Sequence, residues 1–155
     1  MEIAPALSDE EICGFSPIYE ERVVWKVVRK KRGSKWLSSA IACSLDHEFQ
    51  VHYKPGSRVS PNVGGTFLFA FDTLESASTW QEALNTGSRD EFEVWESRAE
   101  VLLDPDGLVV TPTRSTLVNH LNMKIFWSGE PFSSGCYAPA GSLWCTWLQL
   151  RERVL

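Results

Sequence analysis

The sequence predicts an α+β fold: a single domain built on a mostly antiparallel, strongly curved sheet or partly closed β-barrel of seven or eight strands, packed by one main helix at about residues 73–85. Three observations carry this reading. Short segments of two-residue apolar alternation or β-branched residues recur along the chain, one stretch alone holds a sustained helical stripe, and Gly/Pro/Asn/Asp clusters separate them. At 155 residues, 43% of them apolar and 23% charged, the chain has the size and composition of one soluble globular domain. No apolar run approaches the roughly 18 residues that a membrane span needs, so no membrane partner is expected.

The elements follow in order. Ser8-Asp9-Glu10-Glu11 is a capping-box pattern, and Gly14 and Pro17 keep the helix it opens short. Residues 1–20 are therefore read as an N-terminal segment with a short helix, and 21–155 as the domain proper. Residues 23–28 are apolar on both faces with Trp25 in the middle, the signature of a central strand. The basic run that follows, Arg29, Lys30, Lys31, Arg32 and Lys35 around Gly33-Ser34, reads as an exposed turn, and residues 36–43 as the returning strand. Phe49, Val51 and Tyr53 alternate with Gln50, His52 and Lys54, as in a half-buried strand. A turn at 54–57 and a loop at 60–65 lead to Phe67, Phe69 and Phe71 on one strand face, with Leu68 and Ala70 on the other.

Asp72, with Glu75 three places on, is the expected N-cap of the main helix. Leu74, Ala77, Gln81 and Leu84 form its stripe, Trp80 flanks them, and residues 85–87 end it. The longest strand spans 92–103 and closes at Asp104-Pro105-Asp106-Gly107, with 108–111 as a short partner. One or two helical turns at 113–121 and strands at 124–127 and 143–150 complete the chain.

Fifteen basic against twenty acidic residues give a net charge of −5, which argues against nucleic acid as a partner. The N-terminus has neither the positive start nor the apolar stretch of a secretory signal, so the expected location is cytoplasmic. Cys13, Cys43, Cys136 and Cys145 form no C-x-x-C pair, and the three histidines are scattered, so neither a metal nor another cofactor is expected. The thiols read as free and mostly buried; Cys136 and Cys145 would suit a hairpin bridge only in a secreted protein. The basic run at 29–35 fits a phosphate contact, an import address or a solvated tip that discourages edge pairing.

Tryptophan is the compositional anomaly, with seven in the chain beside eight phenylalanines. Rings of this size either fill the core or line a concave pocket for a small apolar molecule. Strict alternation puts Trp144 and Trp147 on opposite faces of one strand, so they cannot share a core. In the long strand Phe92, Val94, Glu96, Arg98 and Glu100 share one face, and Glu93, Trp95, Ser97, Ala99 and Val101 the other. If the first face is inward, Glu96 is carried among aromatics, where a carboxyl is tuned for acid–base work, and Arg98 follows. If the second is inward, Glu96 and Arg98 are solvated. The candidate site takes the first alternative: His52 and Glu96 to move protons, Arg98 to orient a carbonyl or carboxylate, Trp25, Trp95 and Trp127 as walls, and the Tyr53 hydroxyl at the rim.

Glu91-Phe92-Glu93 resembles the E-x-E element of arginine-specific ADP-ribosyltransferases. The resemblance covers a few residues, and where that family carries a Ser-Thr-Ser strand this sequence has Thr66-Phe67-Leu68. It implies an NAD-consuming transferase in which Glu93 stabilises an oxocarbenium-like centre. The leading reading is a cofactor-independent protein with an aromatic pocket for a small apolar molecule; any catalysis would be cyclisation, isomerisation or elimination by shape and proton transfer. A third reading is a non-catalytic protein-interaction module anchored by exposed aromatics.

Overall fold

The computed structural model describes residues 15–30, 33, 37–39, 51–61, 67–86, 90–108 and 141–155, together with Glu10. Within them the chain forms seven strands, β1 (Ile18–Lys30), β2 (Leu37–Ser39), β3 (His52–Tyr53), β4 (Arg58–Val59), β5 (Leu68–Phe71), β6 (Glu91–Leu103) and β7 (Ser142–Arg153), and one helix, α1 (Leu74–Asn85). Apart from Glu10, the expected N-terminal helix lies outside the described residues. So do the expected elements at 113–121 and 124–127, most of the returning strand at 36–43, and the partner strand beyond Leu108.

The sheet is antiparallel at every described pairing and is partly ring-like, not a clear barrel. β1 and β6 pair along their whole length, Ile18 against Leu103 and Lys30 against Glu91, and β6 then pairs with β7. On the far edges β5 pairs with β7 over four residues and touches β1 at one pair, Trp25 with Phe71, so β1–β6–β7–β5 closes on itself. β2 and β3 extend the edge of β1, and β4 that of β7.

Where α1 covers the sheet, the long strands bury apolar side chains on both faces, because each face there has its own partner layer. The inner face gathers Val24 and Val28 of β1, Leu68 and Ala70 of β5, Ala99, Val101 and Leu103 of β6, and Leu143, Cys145, Leu148 and Leu150 of β7. Leu37 of β2, Tyr53 of β3 and Val51 just before β3 close it. The outer face carries α1, whose Ala77, Trp80 and Leu84 meet Trp25, Val27, Phe71, Phe92 and Val94. Gln81 Nε2 donates to the Phe92 carbonyl at 2.8 Å and ties the helix to β6. Leu74, expected on the apolar stripe, is exposed.

The helix starts one residue later than the sequence suggests. Thr73 is extended (φ −132°, ψ 152°), and its Oγ1 accepts from the Ser76 N–H at 3.1 Å, which makes it the N-cap. Asp72 is occupied elsewhere: its N–H donates to the Gly141 carbonyl at 2.9 Å, and its carboxylate stands 3.9 Å from Arg22 Nη1. Gly141 itself has φ +81°, and a Cβ there would meet Ser76 Oγ at 2.6 Å and Ser76 Cβ at 2.9 Å. Only glycine allows β7 to begin so close to the first turn of α1.

β7 carries two irregularities, and the first corrects the expected opposition of Trp144 and Trp147. The partner of Glu100 is Trp147 and that of Val101 is Cys145, which leaves Thr146 as an extra residue; Arg151 is extra in the same way between Leu150 and Glu152. Each insertion resets the alternation. Leu143, Cys145, Leu148, Leu150 and Arg153 therefore share the inner side, while Trp144 and Trp147 both face outward. Trp144 is fully buried and stacked on Phe67, with centroids 5.1 Å apart and planes 10° from parallel. Trp147 carries the Arg58 guanidinium 3.8 Å above its ring.

Candidate functional site

The residue that departs furthest from what a folding core needs is Lys26. It lies between Val24 and Val28 at a spacing of two, so the strand period that buries those valines also carries Lys26 into the ring. Only 7% of its surface remains exposed. Its Nζ donates to the Phe69 carbonyl at 2.5 Å and sits 5.3 Å from the centroid of the Tyr53 ring, within cation–π range. The bond to Phe69 crosses the gap where β5 leaves β1 after a single ladder pair.

No carboxylate pairs with Lys26 among the described residues. Burial pushes the Lys26 ammonium down from 10.5 to about 8, and the Cys145 charge opposes that shift. Burial likewise pushes the Cys145 thiol up to about 12, with the Lys26 charge opposing. Because that thiol is still neutral where the amine titrates, it supplies no counter-charge at neutral pH. Desolvation governs Lys26 there. Cys145 is a free, buried thiol, as expected for it; the other three cysteines lie outside the described residues.

Beside Lys26 across the β1–β6 ladder stands Trp95, half-buried and packed against the inner cluster. Its Nε1 donates to Glu93 Oε1 at 3.1 Å, and Glu93 Oε2 lies 3.2 Å from Arg153 Nη1. Glu93 is almost wholly buried, and the half-exposed Arg153 covers it from the last turn of β7's pairing. An amine, an indole, a phenol and a held carboxylate thus line one inner face that is otherwise aliphatic.

The structure separates the residues expected to form a site. Tyr53 and Trp95 are on the inner face with Lys26. Glu96 shares a face with Phe92 and Val94, as alternation requires, but that is the helix-bearing face, and Glu96 is half-buried there opposite Trp25 and Glu152. The expectation that it would be carried into the interior is therefore corrected: Trp95, Ala99 and Val101 turn inward instead. Arg98 lies on the same outer face, paired with Glu21 at 2.9 Å in solvent. Trp25 packs on the helix side. His52 is exposed, on the opposite face of β3 from Tyr53. Trp127 lies outside the described residues.

Lys26 carries a signal in the sequence that a pattern of apolar alternation alone does not use. A lysine flanked at two-residue spacing by valines, in a strand apolar on both faces, has no solvent side to occupy. Among the described residues no three His, Cys, Asp or Glu side chains gather as a metal would require, and no helix is long and apolar enough to cross a membrane. Comparison with known proteins finds no matching family model, no similar curated protein and no similar solved structure.

Proposed function

We propose that this chain is a cofactor-independent binding protein for a small, largely apolar molecule, which lies on the inner face of the sheet with its polar end at Lys26. One observation carries the reading: an ammonium with no carboxylate partner among the described residues is buried among Val24, Val28, Tyr53 and Cys145. Burying such a charge weakens a fold, and perturbed titrating groups gather where proteins bind and react. Trp95, half-exposed beside the amine, supplies an aromatic wall.

In this reading proton transfer belongs to Lys26 and not to His52 or Glu96. An amine titrating near 8 exists in both forms around neutral pH, which suits isomerisation or elimination next to a polarised group. The test is tryptophan emission during titration with a panel of apolar alcohols, ketones and aldehydes. A saturable change that Trp95→Phe removes supports the reading. A flat response across the panel refutes it.

A further inference from the structure

We propose that Lys26 is a covalent site for a small apolar aldehyde or ketone, held as an imine on Nζ between Tyr53 and Trp95. The inference rests on the inner face being a guest site, and it names the guest's reactive group. Every element around the amine bears on that choice. β5 presents a backbone carbonyl, at Phe69, and the apolar side chains of Leu68 and Ala70. β3 presents the Tyr53 phenol, β7 the neutral Cys145 thiol and the Arg153 guanidinium, and β6 the Trp95 indole and the Glu93 carboxylate.

An anionic guest fits these neighbours poorly. Glu93 already places a carboxylate on this face, and a second buried ion gains little from pairing once both charges lose their water. A neutral carbonyl meets neither objection. The surroundings that disfavour the ammonium also favour its conversion to an uncharged imine. At pH 7 burial leaves about one Lys26 side chain in ten as free amine, roughly 300 times the share of an ordinary lysine. Cys145 does not compete, because a thiol pushed up to about 12 presents almost no thiolate.

The step balances without an oxidant or cofactor. The Nζ lone pair attacks the carbonyl carbon, and the carbonyl π pair moves to oxygen, which takes a proton originating on nitrogen. The nitrogen lone pair of this carbinolamine then expels the hydroxyl as water with the second amine proton, leaving C=N. The Phe69 carbonyl, which holds one N–H in the resting state, is placed to accept as the amine reacts. This is the chemistry for which desolvated lysines are suited.

The experiment incubates the full chain at pH 7 with octanal and sodium cyanoborohydride, which fixes the imine by adding hydride to carbon as nitrogen takes a proton, and maps adducts by peptide mass. The expected result is an adduct at Lys26 forming at least about tenfold faster than at the exposed Lys54, well within the free-amine advantage. Lys26→Arg, which keeps the charge and the donor, removes that adduct; mapping on the unaltered chain decides the matter even if this variant fails to fold. Tryptophan emission is followed in parallel with octanal and octanol and no reductant. Equal responses to both, with Lys26 unmodified, overturn the imine and leave the guest site standing. No response to either compound and adducts confined to exposed lysines overturn both.

Discussion

Replacing Lys26 by Met tests the energetics on which the site rests. An ammonium whose pKa falls from 10.5 in the unfolded chain to about 8 in the folded one weakens the fold by about 3 kcal/mol at pH 7, at roughly 1.4 kcal/mol per pH unit. Between pH 8 and 10.5 the unfolded state holds more protons on Lys26 than the folded state does, so the Lys26 contribution to stability rises with pH through this window. By pH 10 the penalty falls to about 1 kcal/mol. Methionine fills a similar volume without charge, and its cost is the lost hydrogen bond to the Phe69 carbonyl, about 1 kcal/mol. Lys26→Met is therefore expected to be about 2 kcal/mol more stable than the unaltered chain at pH 7, and about equal to it at pH 10. Urea unfolding followed by tryptophan emission at pH 7, 8, 9 and 10 reads both values. Other groups that titrate in alkali are common to the two proteins and cancel in the difference. A variant less stable at pH 7, or a difference that does not change with pH, refutes the argument that Lys26 is a desolvated charge.

Three further outcomes follow from local geometry. Gly141→Ala brings a Cβ to 2.6 Å from Ser76 Oγ at φ +81°, and should lower stability by about 2–3 kcal/mol in the same unfolding assay. Thr73→Ala removes the N-cap acceptor of α1 and should cost about 1 kcal/mol, whereas Asp72→Ala should change stability by less than about 0.5 kcal/mol; the reverse ranking would restore Asp72 as the cap. Cys145 should resist iodoacetamide at pH 8 for as long as the chain stays folded and react on unfolding in urea, as read by mass mapping of its peptide; rapid labelling of the native chain would contradict both its burial and its raised pKa.

The elements with a strong period were legible in the sequence. β6, β7 and α1 lie within three residues of their expected ranges, and the centre of β1 is where expected although its first five residues are not, because Val24–Val28 spacing, the run through Phe92 and Val94, and the Ala77–Leu84 stripe each bury a face. What was not legible depends on contacts between distant segments or on single residues with no compositional mark. Nothing local says that β5 pairs with both β7 and β1 and so bends the sheet into a ring. Nothing in Thr146 or Arg151 announces an inserted residue, yet these two decide which side Cys145, Leu148 and Arg153 face. β4 has no mark in the sequence: Arg58 and Val59 sit between the turn at 54–57 and the loop at 60–65, and two residues paired with Gln149 and Leu148 leave no period to detect. The site failed for a different reason. When both faces of a strand are buried, alternation assigns Glu96 and Trp95 to opposite faces but cannot say which is the interior, and the partner layers settle it.

The position of Lys26 has a structural use, and that use does not account for its charge. Its bond to the Phe69 carbonyl helps to close the ring where the ladder between β1 and β5 has one pair. Any donor does this: an amide, a hydroxyl or another backbone N–H would close the same gap as a neutral group. Burial holds the Lys26 ammonium down at about 8, with the Cys145 charge only partly opposing, so the folded chain serves the charge less well than water does. A fold selected for closure alone would shed the deficit with one substitution. A guest that removes the charge recovers it instead, so binding and stability become linked: conversion of Lys26 to an imine relieves the same penalty that Lys26→Met relieves, and should raise the urea midpoint at pH 7 far more than at pH 10.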